Sequence, residues 1–333
     1  MKRMFLKSLR RLSPAARRSI DVPTPALVEA IERRMSEVCG APVTISSIER
    51  RQVLSASLDR TFHLIRTNGE DATTLHVRIT RPTKGMRRRS RLDHYLTARG
   101  YPVPRYFGLV EADGQAAILW EDCPGVSPRT FGEAPHEQVA TAVREMARIS
   151  ATAHDVLDHA DVPTVTLWVH PIAHELMAMQ ADMEGLAEHH GRLEALAEVE
   201  QTFIGSLEGF QPQVLNHNDF VGKNTLMQDD GSVRILDWDS ASIGPAGASL
   251  RWFAFARDPR TATLPDVYAD EMCASGVPVK ASDVRHVMQI QQTFWLLSSG
   301  VEKRELARIV KGLDYVDRLR REFGLKEATP LTP

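Results

Sequence analysis

The feature that most constrains this chain is the polar run His217-Asn218-Asp219-Phe220-Val221-Gly222-Lys223-Asn224, followed thirteen residues after Asn224 by Asp237. The short apolar segment Pro212-Gln213-Val214-Leu215-Asn216 before it reads as a strand. Two more such runs, Thr225-Leu226-Met227-Gln228 and Ser232-Val233-Arg234-Ile235-Leu236, flank Asp229-Asp230-Gly231. An Asp-Gly step between alternating segments predicts a hairpin, because glycine accepts the positive φ that such turns need. The hairpin returns Asp237 towards Asp219 and Asn224, so three oxygen-bearing side chains are expected to gather at strand ends. Hard cations such as Mg²⁺ take carboxylate and amide oxygens together with substrate phosphates, and the pattern points to phosphoryl transfer.

His-x-Asp-x-x-x-x-Asn, then Asp at the end of the next hairpin, resembles the catalytic and metal-binding segments of the aminoglycoside phosphotransferase and choline kinase-like family, small-molecule kinases of protein-kinase-like fold. The resemblance implies an α+β, bilobal architecture, with a small antiparallel sheet lobe and a larger, mainly helical lobe. It implies ATP and Mg²⁺ as cofactors and a small molecule bearing a hydroxyl, aminoglycoside-like or amino-alcohol- or sugar-like, as acceptor. Asp219 then takes the role of catalytic base, and Asn224 and Asp237 become metal ligands. His217 is expected to be structural, and Asp239 is either a third acid near the metal or an exposed strand-end charge.

The rest of the chain fits that plan in order. Thr24-Pro25 reads as an N-cap with proline at the first helical position, and the helix runs through Leu27, Ile31 and Met35 to Gly40. Separate strands are expected at 43–45, 53–55, 61–65 and 74–79, with Asn68-Gly69 turning the last pair. The segment 55–61 occupies the place of the nucleotide-covering loop, has no glycine, and offers Ser57. Arg78 stands where the resembled enzymes carry a basic residue that grips the nucleotide phosphates, a task suited to a guanidinium fork. The glutamate that pairs with that residue is missing. Arg89 takes its place on a helix expected to end near Gly100, and Asp93, one turn later, is the nearest acid. The strand 116–121 runs into a hinge where backbone groups near Glu121 and Cys123 are expected to meet adenine.

From residue 134 the apolar period changes to 3.6, and Val139, Val143, Met146, Ile149 and Val156 trace one helical face. Further helices are expected at 171–189, 192–207, 247–257, 281–299 and 301–323. Near the end of the segment that follows the metal aspartate, the resembled enzymes have Asp-Leu; this chain has Ser249-Leu250. The domain plan is therefore a basic tail at 1–22, a nucleotide-binding lobe at 23–122 and a catalytic and substrate lobe at 123–333.

Composition excludes several alternatives. No run approaches the roughly 20 apolar residues of a membrane-spanning helix, and three scattered cysteines suit a reducing, cytoplasmic setting rather than a disulfide framework. Of the 41 basic side chains seven lie in residues 1–19, which hold no acid, so the remaining chain carries 34 basic against 43 acidic groups. Such a head is either a disordered tail or a short amphipathic helix making weak peripheral contact with an anionic membrane. No nucleic-acid partner is expected. Two rivals to the kinase reading stand: a pseudokinase that binds nucleotide as a regulatory module, suggested by the missing glutamate and the glycine-free loop, and an Mg²⁺-dependent phosphohydrolase, which leaves the sheet and hinge without a purpose.

Overall fold

Helix α1 (Pro25–Cys39) begins as the sequence dictates: Thr24 Oγ1 accepts from Leu27 N–H at 3.3 Å, proline follows, and Gly40 closes the helix at φ 71°. The computed structural model of the chain describes residues 22–54, 59–68, 72–164, 168–255 and 259–325. Ser57 and the basic segment 1–19 lie outside them. The described residues form two compact units, one drawn from 1–125 with 158–161, the other from 126–157 with 162–333.

In the first unit, β1 (Thr44–Leu54), β2 (Asp59–Asn68), β3 (Thr74–Thr80), β4 (Tyr106–Ala112) and β5 (Gln115–Glu121) make one antiparallel sheet in the order β1-β2-β3-β5-β4. The expected strands at 43–45 and 53–55 are a single strand with a register shift between Ile45 and Ser47. The sequence hides this because β1 is an edge strand whose residues from Ser46 to Arg50 are exposed, so no apolar alternation marks its middle. β3 alternates strictly: Leu75, Val77 and Ile79 pack with Leu27, Ile31 and Met35 of α1. The other face carries His76, Arg78 and Thr80, and there Ile118 and Trp120 of β5 pack with Met86 of α2 (Lys84–Ala98). Every residue of β5 before Glu121 is buried, as a strand covered on both faces should be.

The second unit is mainly helical, with α3 (His136–Thr152), α4 (Ala173–Met179), α5 (His190–Glu208), α6 (Leu264–Ala274), α7 (Ala281–Lys303) and α8 (Leu306–Glu322). Its core joins Leu176, Leu196 and Phe203 to Phe294, Leu297, Ile309, Leu313 and Val316. The expected helix at 171–189 is broken: α4 stops at Met179, Gly185 adopts φ 79°, and only a 3-10 turn follows at Leu186–His189. The expected helix at 247–257 is a 3-10 segment, Ala248–Phe253. Helix α6 was not foreseen; its buried Leu264, Tyr268, Ala269 and Met272 form one face, but acids interrupt so short a pattern. Among the described residues no helix is long and apolar enough to cross a membrane.

Candidate active site

Two small antiparallel pairs hold the polar run. Strand β6 (Gln213–Asn216) pairs with β9 (Ser242–Pro245), and β7 (Thr225–Met227) with β8 (Val233–Ile235) across the Asp-Gly turn that the sequence predicts. Leu236 N–H donates to the Asn224 carbonyl at 2.8 Å, so the hairpin closes with Asp237 one residue beyond a direct bond to Asn224. The Asn224 amide Nδ2 donates both to the Asp219 carbonyl at 2.8 Å and to its carboxylate Oδ2 at 2.9 Å. That orientation turns Asn224 Oδ1, the one ligating atom of the side chain, away from Asp219. The structure thus gathers Asp219, Asn224 and the residue before Asp237 in one bonded loop.

The loop is anchored from beneath. His217 is fully buried, its Nε2 donates to the Leu236 carbonyl at 2.6 Å, and its Nδ1 accepts from Asp219 N–H at 3.3 Å. These bonds place the ring proton on Nε2 and give His217 the structural part expected of it. Phe220, also fully buried, packs in an aromatic cluster with Phe131 and Phe253. Gly222 sits so close to the backbone of 128–131 that a Cβ there would lie 2.7 Å from the Pro128 carbonyl oxygen and from the Thr130 carbonyl carbon. Asn218 and Asp237 both adopt left-handed backbone, at φ 61° and 57°. Such strain persists only where the surroundings over-determine it. At Asn218 they do, because its Nδ2 donates to the Ser240 carbonyl and to Ser242 Oγ, both at 2.9 Å.

Two further residues were not singled out as functional from the sequence. Ser249, standing where the resembled enzymes have aspartate, accepts His217 N–H on its Oγ at 3.0 Å and donates to Asn216 Oδ1 at 3.0 Å. A neutral hydroxyl and amide therefore hold the strand end. Arg251 is 1% exposed; its Nε donates to the Asn218 carbonyl at 3.0 Å and its Nη2 lies 3.8 Å from Asp219 Oδ1. The guanidinium stacks near Trp252 and Trp295, at 4.3 and 4.7 Å from the ring centroids, and its Nη1 is buried with no hydrogen-bond partner among the described residues. Burial pulls it down to about 9 from the ordinary arginine range, with the Asp219 carboxylate opposing. One signal was available: Arg251 is the lone charge in the run 243–255.

The residues expected to meet nucleotide lie in the first unit. Arg78 is half-buried on the sheet face that α2 covers, opposite Ile118 of β5. Asp93 is buried; Arg89 Nε reaches its two oxygens at 2.7 and 2.8 Å, and Trp120 Nε1 donates to it at 3.1 Å. Arg89, which stands where the glutamate is expected, has its charge compensated within its own helix. At the end of β5 the N–H groups of Glu121 and Asp122 donate to the carbonyls of Arg105 and Thr74, at 2.9 and 3.1 Å. Cys123, half-buried, follows.

Among the described residues no group of three or more His, Cys, Asp or Glu is placed to hold a metal ion. A site made of one carboxylate, one amide and substrate phosphates does not need such a group, and the donor set of Asp237 with Asn224 Oδ1 consists of the oxygens that Mg²⁺ prefers.

A five-stranded antiparallel sheet unit, with a mainly helical unit carrying an Asp-to-Asn loop and an Asp-ended hairpin, is the architecture of kinase-like phosphotransferases. The chain belongs to the phosphotransferase enzyme family (APH), whose sequence profile matches residues 49–281. No curated protein sequence matches it. Among solved structures it is similar to the GDP complex of wild-type aminoglycoside 2'-phosphotransferase-IIIa, with TM-score 0.57, 15% identity, and 90% of this chain and 100% of that one covered. Choline kinase from Cryptosporidium parvum Iowa II gives TM-score 0.57 at 15% identity, covering 84% and 92%. Choline kinase LicA from Streptococcus pneumoniae gives 0.52 at 13%, covering 88% and 99%. Identities this low establish the shared fold; the family assignment makes the chain a phosphotransferase.

Proposed function

We propose that this phosphotransferase moves the γ-phosphoryl group of ATP to a hydroxyl of a small molecule of aminoglycoside, amino-alcohol or sugar type. The observation that carries the reading is the pair of hydrogen bonds from Asn224 Nδ2 to the carbonyl and carboxylate of Asp219, closed by Leu236 N–H on the Asn224 carbonyl. It fixes a carboxylate that is still partly exposed, at 28% of its side chain, against Asn224, with the hairpin end that leads into Asp237 bonded to the same loop. Asp219 would accept or orient the proton of the acceptor hydroxyl. Asn224 and Asp237 would hold Mg²⁺, which when bound neutralises charge on the transferring phosphates. Arg78 would grip phosphate oxygens. The adenine contact would run through the Glu121 carbonyl and Cys123, since the N–H groups of Glu121 and Asp122 are already taken by the sheet.

The test is ADP release by the purified chain with Mg²⁺ and ATP against a panel of aminoglycosides, choline and sugar alcohols. At least one acceptor should stimulate turnover. Asp219→Asn should lower it by about 10²-fold or more, as loss of a general base does, while nucleotide affinity by calorimetry stays intact. Nucleotide affinity without product from any acceptor would favour the pseudokinase reading. Near-normal turnover in the variant would remove Asp219 from the mechanism.

A further inference from the structure

The basic run that opens α2 is not absorbed by the proposed chemistry. Two of its arginines have local partners: Arg87 grips Glu111 bidentately at 2.8 and 2.9 Å, and Arg89 holds Asp93. Arg91, one turn beyond Arg87, instead faces a groove of about 770 Å³ between α2 and β4. Its volume falls in the range of small-ligand sites. The α2 wall is one helical face, Arg91, His94, Ala98 and Arg99 among its residues; Arg34 comes from α1 and His159 from the segment 158–161. Three arginines and two histidines line the groove, and no carboxylate does. The nearest acid to Arg91, Asp161, is 3.9 Å away with 81% of its side chain in solvent.

One of these cations is built in. Arg34 Nε donates to the Phe107 carbonyl at 2.8 Å, its Nη1 pairs with Glu37 at 3.2 Å outside the groove lining, and the guanidinium crosses β4 where Gly108 adopts φ 149°. A Cβ at 108 would lie 2.7 Å from that Nε, so the crossing requires glycine. The groove also has aromatic surface. Tyr95 stacks on His159 at 5.4 Å and 24°, Arg99 lies 5.4 Å from the Tyr95 ring, and Tyr106 meets His94 edge-on at 6.4 Å. The Tyr106 hydroxyl is hydrogen-bonded to Ser90 Oγ. Burial pushes both tyrosines up to about 12, so neither adds negative charge.

We infer that this groove is a second ligand site, which takes a phosphate monoester carrying a ring. The acids that meet Arg34 and Arg91, Glu37 and Asp161, stand outside the lining with 58% and 81% of their side chains in solvent, where such pairs are weak. A ligand facing several arginines is favoured by more than one negative charge, and a phosphate monoester has about −1.5 to −2 at neutral pH. Guanidinium forks match its oxygens, and the Tyr106, His94 and His159 rings, unlike the buried Tyr95, offer surface to the rest of the molecule. The lining shares no residue with Arg78, Glu121, Cys123, Asp219, Asn224 or Asp237.

Calorimetry on the full chain tests this with phenyl phosphate as probe, inorganic phosphate and benzyl alcohol as comparisons, and the exposed-site variants Arg91→Ala and His94→Ala. Phenyl phosphate should bind more tightly than inorganic phosphate, benzyl alcohol should not bind, and Arg91→Ala should weaken the ester by about tenfold, the scale of one charge-assisted hydrogen bond. Ester bound elsewhere would be unaffected by both variants, and unchanged affinity in both overturns the assignment. Equal binding of benzyl alcohol overturns it too, because charge would then be irrelevant. A parallel arm uses vesicles of phosphatidylcholine with and without phosphatidic acid. Retention that needs both phosphatidic acid and Arg91 would assign the monoester to a lipid headgroup, whereas binding of the soluble ester alone assigns it to a free metabolite.

Discussion

On the sheet of the first unit, where the family resemblance leads one to expect a helix glutamate, α2 carries an Arg-Asp ion pair, whereas beneath the loop of the second a hydroxyl stands where the resemblance leads one to expect an aspartate. The first arrangement changes the electrostatics. Asp93 is 5% exposed, and it is held by Arg89 and Trp120. The second keeps the geometry and removes the charge: Ser249 holds His217 N–H and Asn216 with neutral groups, and the buried cation Arg251 grips the next carbonyl along. An acid whose work is to fasten backbone can be exchanged for any buried acceptor of similar reach. One whose work is to balance a charge can only be exchanged for another charge.

That contrast predicts a graded set of effects. The largest is expected at Asp93→Asn, which leaves Arg89 with 11% of its side chain exposed and no counter-ion from that position. Breaking a buried pair from one side costs about 3–5 kcal/mol, and thermal unfolding should show it as a large fall in Tm. A shift of only a degree or two would mean that Arg89 does not depend on Asp93 for its counter-charge. Next comes Arg251→Met, which removes the bond to the Asn218 carbonyl, on the order of 1.5–3 kcal/mol for a charged donor. Because an apolar side chain suits the space between Trp252 and Trp295, kcat should fall by about tenfold with little change in Tm. Lost stability with intact kcat would make Arg251 a structural residue only.

Ser249→Ala should cost about 1–3 kcal/mol of stability by stranding His217 N–H, read by denaturant unfolding, while Asn216 Oδ1 keeps the Ser249 backbone N–H at 3.1 Å. If it costs nothing, the hydroxyl is not the substitute for the acid. The smallest effect belongs to Lys223→Ala. Lys223 lies 3.6 Å from Asp219 Oδ2 but is 58% exposed, and such surface pairs contribute about 0–1 kcal/mol. A large loss of turnover there would show that the loop's electrostatics are set from solvent rather than from the Arg251 side.

Much of the second unit's loop could be read in advance because its information is contiguous. The order His217, Asp219, Asn224, Asp237 and the Asp230-Gly231 turn lie within one stretch, and the hairpin forms where the turn chemistry puts it. The faces of α1 and β3 were legible for a similar reason, since their apolar periods are unbroken. The parts that escaped depend on distant partners. Ser249 means nothing until its bonds to residues 216 and 217 are seen. The pairing of Arg89 with Asp93 is hidden because i, i+4 spacing alone does not show which face Trp120 covers across the sheet. Strand β1 and helix α6 escaped because exposed edge residues and interspersed acids blur the period.

Gly222 has a consequence for how this gene can change. The atoms that a side chain at 222 would strike, the Pro128 carbonyl oxygen and the Thr130 carbonyl carbon, are both main chain, and neither can rotate aside as a flexible side chain would. Its exposed neighbour Lys223 is open to drift, whereas a single-nucleotide change at codon 222 would displace the loop that carries Asp219 and Asn224 without touching either. An inactive allele of this kind would look innocent in any inventory restricted to the chemical groups.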